Sequence, residues 1–194
     1  MRNEFSFKPA ISNEDIAGLP IGKFTGLTYY IDSLEKFDQV IDRLEQEKML
    51  GFDTETKPSF KKGQVHQVSL LQFCSSKEAY LFRINKIGLP KQLVRILAND
   101  SIIKAGVAIH DDIATLRKIH DFKPAGFVEL QQFVKGFGIE DNSLKKLSAN
   151  ILGFSISKRQ QTSNWESDIL SPAQIEYATT DAWVCHEIYK TLIQ

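Results

Sequence analysis

The chain has 194 residues and 22.0 kDa, with 42% hydrophobic and 25% charged residues; these proportions suit one soluble globular domain with a sizeable core and exclude a largely disordered chain. Lys and Arg together number 24, as do Asp and Glu, so no overall basic field gathers a polyanion and any nucleic-acid binding must come from local patches. Cys74 and Cys185 lie far apart in apolar stretches, the pattern of buried free thiols in a reducing compartment; with no signal-peptide core at the first residues and no run of ~20 apolar residues, a cytoplasmic location is expected.

Residues 1–26 mix the apolar anchors Phe5, Phe7, Ile11, Ile16, Leu19, Ile21 and Phe24 with turn formers. Ser12-Asn13-Glu14-Asp15 reads as the capped start of a short helix that stops at Gly18. This segment is expected to pack as an appendage on a main domain of residues 27–194. A β-rich run at 27–31 leads to Asp32 or Ser33, either of which can cap a helix carrying Leu34, Phe37, Ile41 and Leu44 at spacings of three and four. Next come a strand entered through Met49-Leu50, a basic turn (Lys57-Pro58-Ser59-Phe60-Lys61-Lys62-Gly63), and strands at 66–74 and 79–84 whose short link implies antiparallel neighbours. From Leu89 the rhythm changes to a helix at 89–98, a strand at 102–108, a helix from about 112 to 120, a strand at 127–130, and helices to the end. A strand meander followed by alternation predicts an α/β fold: a mixed sheet of five or six strands, antiparallel then parallel, flanked by helices.

Three stretches carry acids in informative places. In Gly51-Phe52-Asp53-Thr54-Glu55-Thr56, strand alternation puts Asp53 and Glu55 on one face and Phe52 and Thr54 on the other. Two carboxylates that close need either wide solvation or a cation, and the apolar entry through Met49 and Leu50 favours the cation. In Gly106-Val107-Ala108-Ile109-His110-Asp111-Asp112, an apolar strand ends on paired aspartates at a helix start, where one can cap the helix and the other meet a ligand at the strand's C-terminal end. The last helix opens with Ser171-Pro172 and places Tyr177 and Asp181 one turn apart, on a stripe continuing through Val184, Cys185 and Ile188. An acid on such a stripe needs a partner, either a lysine or a metal.

The three stretches GFDTET, AGVAIHDDIATL (residues 105–116) and YATTDA resemble, in order and spacing, the three motifs of the DEDD 3′→5′ exonucleases, in the subgroup whose third motif is Tyr-x-x-x-Asp. The resemblance covers residues 27–194. Ser163-Asn164-Trp165, with Leu144-Lys145 before it, is more similar to the Werner-helicase branch of that family than to ribonuclease D. The resemblance implies a ribonuclease H-like fold and metal-dependent release of nucleoside 5′-monophosphates from the 3′ end of a nucleic acid, DNA favoured over RNA. It implies Asp53, Glu55, Asp112 and Asp181 as metal ligands and Tyr177 as the residue holding the attacking water. Asp112 is chosen over Asp111 because it lies six residues after Gly106, as the family's aspartate does, which leaves Asp111 as a cap. The helicase regions of larger relatives are absent from the sequence, so no unwinding is expected.

Four carboxylates make a hard oxygen site, suited to two divalent cations, Mg²⁺ or Mn²⁺, rather than zinc. Lys57, Lys61, Lys62, Lys158 and Arg159 are candidate phosphate contacts, and Trp165 is a candidate for stacking on a base, although in such a connection the favoured reading is that it anchors its loop in the core. His66, on a strand face, and His110 are expected to be structural or outer neighbours of the site. A nuclease-dead binding module and a phosphodiesterase acting on small nucleotides are the alternatives.

Overall fold

A computed structural model describes residues 7–59 and 66–194. Six strands form a single mixed sheet: β1 (Leu27–Ile31), β2 (Met49–Thr56), β3 (Val68–Cys74), β4 (Glu78–Phe82), β5 (Ile103–Gly106) and β6 (Phe127–Glu129), in the spatial order β1-β4-β3-β2-β5-β6. β2, β3 and β4 form the antiparallel meander, while β5 and β6 continue the sheet parallel to β2 and β1 lies parallel to β4 on the other edge. The sheet architecture therefore agrees with the sequence expectation, with the acidic strand β2 at its centre.

Each face of the sheet has its own core. On one, Leu50 and Phe52 pack with Phe73, Phe82, Ile109 and Leu116 beneath the helices α2 (Leu34–Asp38), α3 (Ile41–Gln46), α5 (Lys91–Leu97) and α6 (His110–Ile119). The opposite face carries the 22-residue α9 (Pro172–Ile193), which begins with a complete capping box between Ser171 and Gln174 and Pro172 in its first turn. α9 runs so close to β2 that a Cβ added at Gly51 would collide with the carbonyl of Ala182. Absence of a side chain at Gly51 lets the helix bring its residues down onto the strand.

Several local expectations change. The single helix expected over residues 34–44 is two, α2 and α3, separated at Gln39 and Val40, where the Val40 backbone at φ −119° leaves ideal helix geometry. Ser33, rather than Asp32, caps α2. The strand expected from 66 begins at Val68, so His66 lies before it, and the strand expected through Ile84 gives way to the short helix α4 (Ile84–Ile87). Asp111 does not cap α6: its side chain is 99% exposed and meets only His110, while the carboxylate of Glu129 accepts the backbone N–H groups of Ala108 (3.0 Å) and Ile109 (2.9 Å). That contact holds Ala108 at φ 57°, a left-handed conformation that reverses the chain into the helix.

The short helix α1 (Asn13–Ala17) is capped by Ser12. Residues 7–26 lie against 139–155 through Ile11 and Ile16 packed with Ala149, and through the Ile11 N–H donated to Asp141 (2.9 Å). Phe5 lies outside the described residues. Ile21, read as an anchor, is 66% exposed, because its backbone makes the contact, a parallel bridge to Ser155. The short helices α7 (Leu130–Phe133) and α8 (Leu144–Leu147) complete the second face. Both cysteines are buried and free, and no described helix is long and apolar enough to cross a membrane.

Candidate metal centre and nucleic-acid cleft

Alternation along β2 turns Asp53 and Glu55 toward α9, which supplies Asp181. Each of the three offers a carboxylate oxygen within 4.8 Å of the others. Glu55 and Asp181 are buried, and burial is the main force raising their pKa values. For Glu55 the neighbouring Asp53 and Asp181 add to it, pushing the carboxyl from 4.5 up to about 10. Asp53 is likewise held well above the carboxylate range, first by burial and then by Asp181 and Asp112. Asp112 stands outside this trio, in the first turn of α6, where its Oδ1 accepts the hydroxyl of Thr54 from the opposite face of β2. Burial lifts its pKa to about 6 against the lowering effect of that hydrogen bond.

Tyr177, one turn before Asp181, is buried with its phenol beside the acids; burial first, and then Asp181 and Glu55, push the phenol above its usual range. The remaining Asp181 oxygen, Oδ1, is buried and has no hydrogen-bond partner, while Oδ2 receives the Lys158 ammonium at 3.0 Å. A concentrated, under-neutralised set of carboxylates with an orphaned oxygen fits a hard divalent cation. Among the described residues no cysteine or histidine joins the trio, though the Cys185 thiol lines the same cleft one turn beyond Asp181.

The trio opens into a cleft of about 640 Å³. It is lined by Tyr177, Lys158 and Gln161 and by a second group from α7, α8 and the residues before α8: Gln131, Asn142, Ser143, Leu144 and Lys145. Apart from the Leu144-Lys145 pair, quoted for the resemblance alone, sequence reasoning had no reason to single out the second group. Its available signal was Ser143, a helix N-cap whose hydroxyl accepts the Lys146 N–H. Lys145 is half-buried there and forms no described ion pair.

The candidate nucleic-acid contacts disperse. Lys158 reaches the acids themselves. Arg159 is exposed and lines a smaller neighbouring cavity of about 260 Å³, which shares Tyr177 with the main cleft. Lys57 pairs with Glu166 (3.1 Å), which also contacts His66 (3.1 Å). Lys61 and Lys62 lie outside the described residues. Trp165 cannot stack on a base: it is 0% exposed and packs among Leu70, Leu81, Leu170 and Tyr177, with its ring 5.9 Å from that of Tyr177. Its loop is tied down from the sheet side by the buried Arg83, which donates to the carbonyl of Ser167 (2.6 Å). His110 is exposed on the surface, away from the cleft lining.

A family model described as 3′-5′ exonuclease matches residues 29–194. The chain is 35% identical over 186 residues to the mouse bifunctional 3′-5′ exonuclease/ATP-dependent helicase WRN, covering 90% of this chain and 13% of that protein. It is 28% identical over 161 residues to DNA polymerase I of Aquifex aeolicus, covering 82% of this chain and 26% of the polymerase. The chain thus spans a small part of these relatives. Among solved structures, the Nibbler EXO domain of Aedes aegypti superposes with a TM-score of 0.78 at 24% identity, covering 88% of this chain and 90% of that one. RNase D of Escherichia coli superposes with a TM-score of 0.77 at 19% identity, covering 88% and 45%. These likenesses establish the shared ribonuclease H-like fold.

Proposed function

Because the chain belongs to the 3′-5′ exonuclease family, we propose that it removes nucleotides one at a time from the 3′ end of a nucleic acid, releasing nucleoside 5′-monophosphates. The observation that carries this reading is the meeting of Asp53, Glu55 and Asp181 at the bottom of an open cleft, with an unpartnered Asp181 oxygen and the Tyr177 hydroxyl beside them. In this reading Asp53, Glu55, Asp112 and Asp181 hold two divalent cations, Mg²⁺ or Mn²⁺. When bound, such a pair lowers the pKa of water and neutralises charge on the leaving oxygen of an in-line displacement at phosphorus.

The chain's own residues supply the positioning. Glu55 and the Tyr177 hydroxyl orient the attacking water, since both project into the cleft next to Asp181. Lys145, which lines the cleft, takes a phosphate of the strand, and Arg159, in the neighbouring cavity that shares Tyr177, takes another. DNA is the favoured substrate, by analogy with the helicase-linked and polymerase-linked relatives. The RNase D neighbours, one of them an exoribonuclease and another complexed with RNA, share the fold at 19–20% identity, so the fold by itself does not favour DNA over RNA.

The test is incubation of purified protein with a 3′-recessed, 5′-labelled DNA duplex and its RNA-containing counterpart, in Mg²⁺, Mn²⁺ or EDTA, with Asp53→Ala as control. A metal-dependent ladder shortening from the 3′ end, lost in the variant, is the expected result. Degradation of neither strand by a folded, metal-binding protein would refute the reading. In that case cleavage of dinucleotides alone would identify a small-nucleotide phosphodiesterase, and tight binding without cleavage a silent binding module.

A further inference from the structure

The acidic site contains its own cation. Lys158 Nζ lies 3.0 Å from Asp181 Oδ2 and 5.6 Å from the centroid of the Tyr177 ring, so the ammonium is held between a carboxylate and an aromatic face. The Asp181 side chain is only 4% exposed, whereas that of Lys158 is 33% exposed: the acid is fixed in the interior and the lysine enters from the cleft. Among the described residues this is the single ion pair made by Asp53, Glu55, Asp112 or Asp181. Lys145, which lines the same cleft, makes no ion pair among the described residues.

Chain geometry makes this contact reversible. Asp181 sits mid-way along the 22-residue α9, fixed by helix hydrogen bonds and by packing on β2. Lys158 belongs to an irregular stretch between the Ser155 bridge and α9, and carries its charge on a flexible four-carbon stem. A lysine serving only to stabilise the fold would more naturally pair with an acid that has no other ligand to bind. Here it neutralises one oxygen of a carboxylate whose second oxygen remains unpartnered among like charges.

We propose that Lys158 is the resident counter-ion of the metal-free site, occupying Asp181 until a divalent cation displaces it, so that ion pairing and metal loading exclude one another. The inference rests on reading the acid cluster as a metal site. Metal loading then releases the ammonium into the cleft, where a backbone phosphate is the next anion within its reach. One residue thereby holds the acids together before loading and adds a substrate contact after it.

The experiment is calorimetric titration of Mn²⁺ into the wild type, Lys158→Met, Lys158→Gln and Lys145→Met, paired with melting curves in EDTA and in Mn²⁺; none of these readouts depends on turnover. Lys158→Met and Lys158→Gln are expected to bind Mn²⁺ roughly tenfold more tightly, the order set by removing one competing, partly screened charge. Both variants should also melt lower in EDTA and gain more than the wild type on adding Mn²⁺. Lys145→Met should bind as the wild type does. Unchanged or weaker Mn²⁺ binding by both Lys158 variants overturns the proposal, and so does equal tightening in Lys145→Met, which would make the effect one of general field rather than contact. A wild type that takes up no Mn²⁺ refutes the metal-site reading itself, a distinct result from a wild type and variants that bind alike.

Discussion

Replacing Glu55 with glutamine should stabilise the metal-free protein. Burial first, and then the charges of Asp53 and Asp181, raise the Glu55 carboxyl from 4.5 to about 10. Across that interval the folded chain keeps a proton that the unfolded chain has released. The unfolded state therefore binds fewer protons, and stability falls as pH rises from about 4.5 towards 10. At pH 7 the deficit is about 3 kcal/mol, at about 1.4 kcal/mol for each pH unit above the unfolded value. Glutamine keeps the shape and has no proton to retain. For a domain of this size the gain amounts to a rise in melting temperature of roughly 6–12 °C. Thermal melts of the wild type and Glu55→Gln in EDTA from pH 5 to 9 test this: the curves should nearly coincide at pH 5 and separate steadily above it. Saturating Mn²⁺ should reverse the order, because the wild type has more ligand to offer. A variant that melts at or below the wild type at pH 8 in EDTA, or a gap that does not widen with pH, would refute the reasoning.

Further expectations follow from other contacts. Thr54→Val removes the hydroxyl that lowers the Asp112 pKa, so the carboxyl should titrate above its present value of about 6, shifting the acid limb of the pH–rate profile upward, and stability should fall by about 1–2 kcal/mol; an unmoved limb would show that Asp112 does not control it. Trp165→Phe should leave the dissociation constant for oligonucleotides unchanged while Trp165→Ala costs about 3–5 kcal/mol in denaturant melts, because the ring is core and not platform; weaker binding by a stably folded Trp165→Phe would contradict this. Gly51→Ala forces a methyl against the Ala182 carbonyl and should cost about 3 kcal/mol or more, seen as lost helicity or a lower melt by circular dichroism; a wild-type melt would mean that α9 is free to move off β2.

The helix and strand assignments most legible in the sequence were those with strong local signals. Ser171-Pro172 announced the start of α9, and the short link Ser75-Ser76-Lys77 between β3 and β4 announced their antiparallel pairing. Signals failed where a single local pattern had two outcomes. Spacings of three and four through Leu34, Phe37, Ile41 and Leu44 suit one helix or two, and the backbone at Val40 divides them. Asp111 has the residue type of a cap, but its side chain points to solvent, while the chain's entry into α6 is held by Glu129, 18 positions later and on a different strand, which accepts the N–H groups of Ala108 and Ile109. Trp165 in an irregular stretch can face solvent or core, and only the packing of Leu70, Leu81 and Tyr177 around it shows which.

By itself the sequence determined the fold class, the family, and the pairing of Asp53 with Glu55 on one face and of Tyr177 with Asp181 on one helical turn. These follow from backbone periods of 2 and 3.6 residues, which act within a few positions and need no knowledge of the rest of the chain. The tertiary structure alone decided which acids approach one another, that Asp112 accepts the Thr54 hydroxyl on the other face of β2, that Ser143 and Lys145 line the cleft, and that Lys158 pairs with Asp181. Those contacts join residues from 23 to more than 120 positions apart, and their geometry is set by how closely α9 can settle on β2 at Gly51, a packing distance that no local pattern encodes.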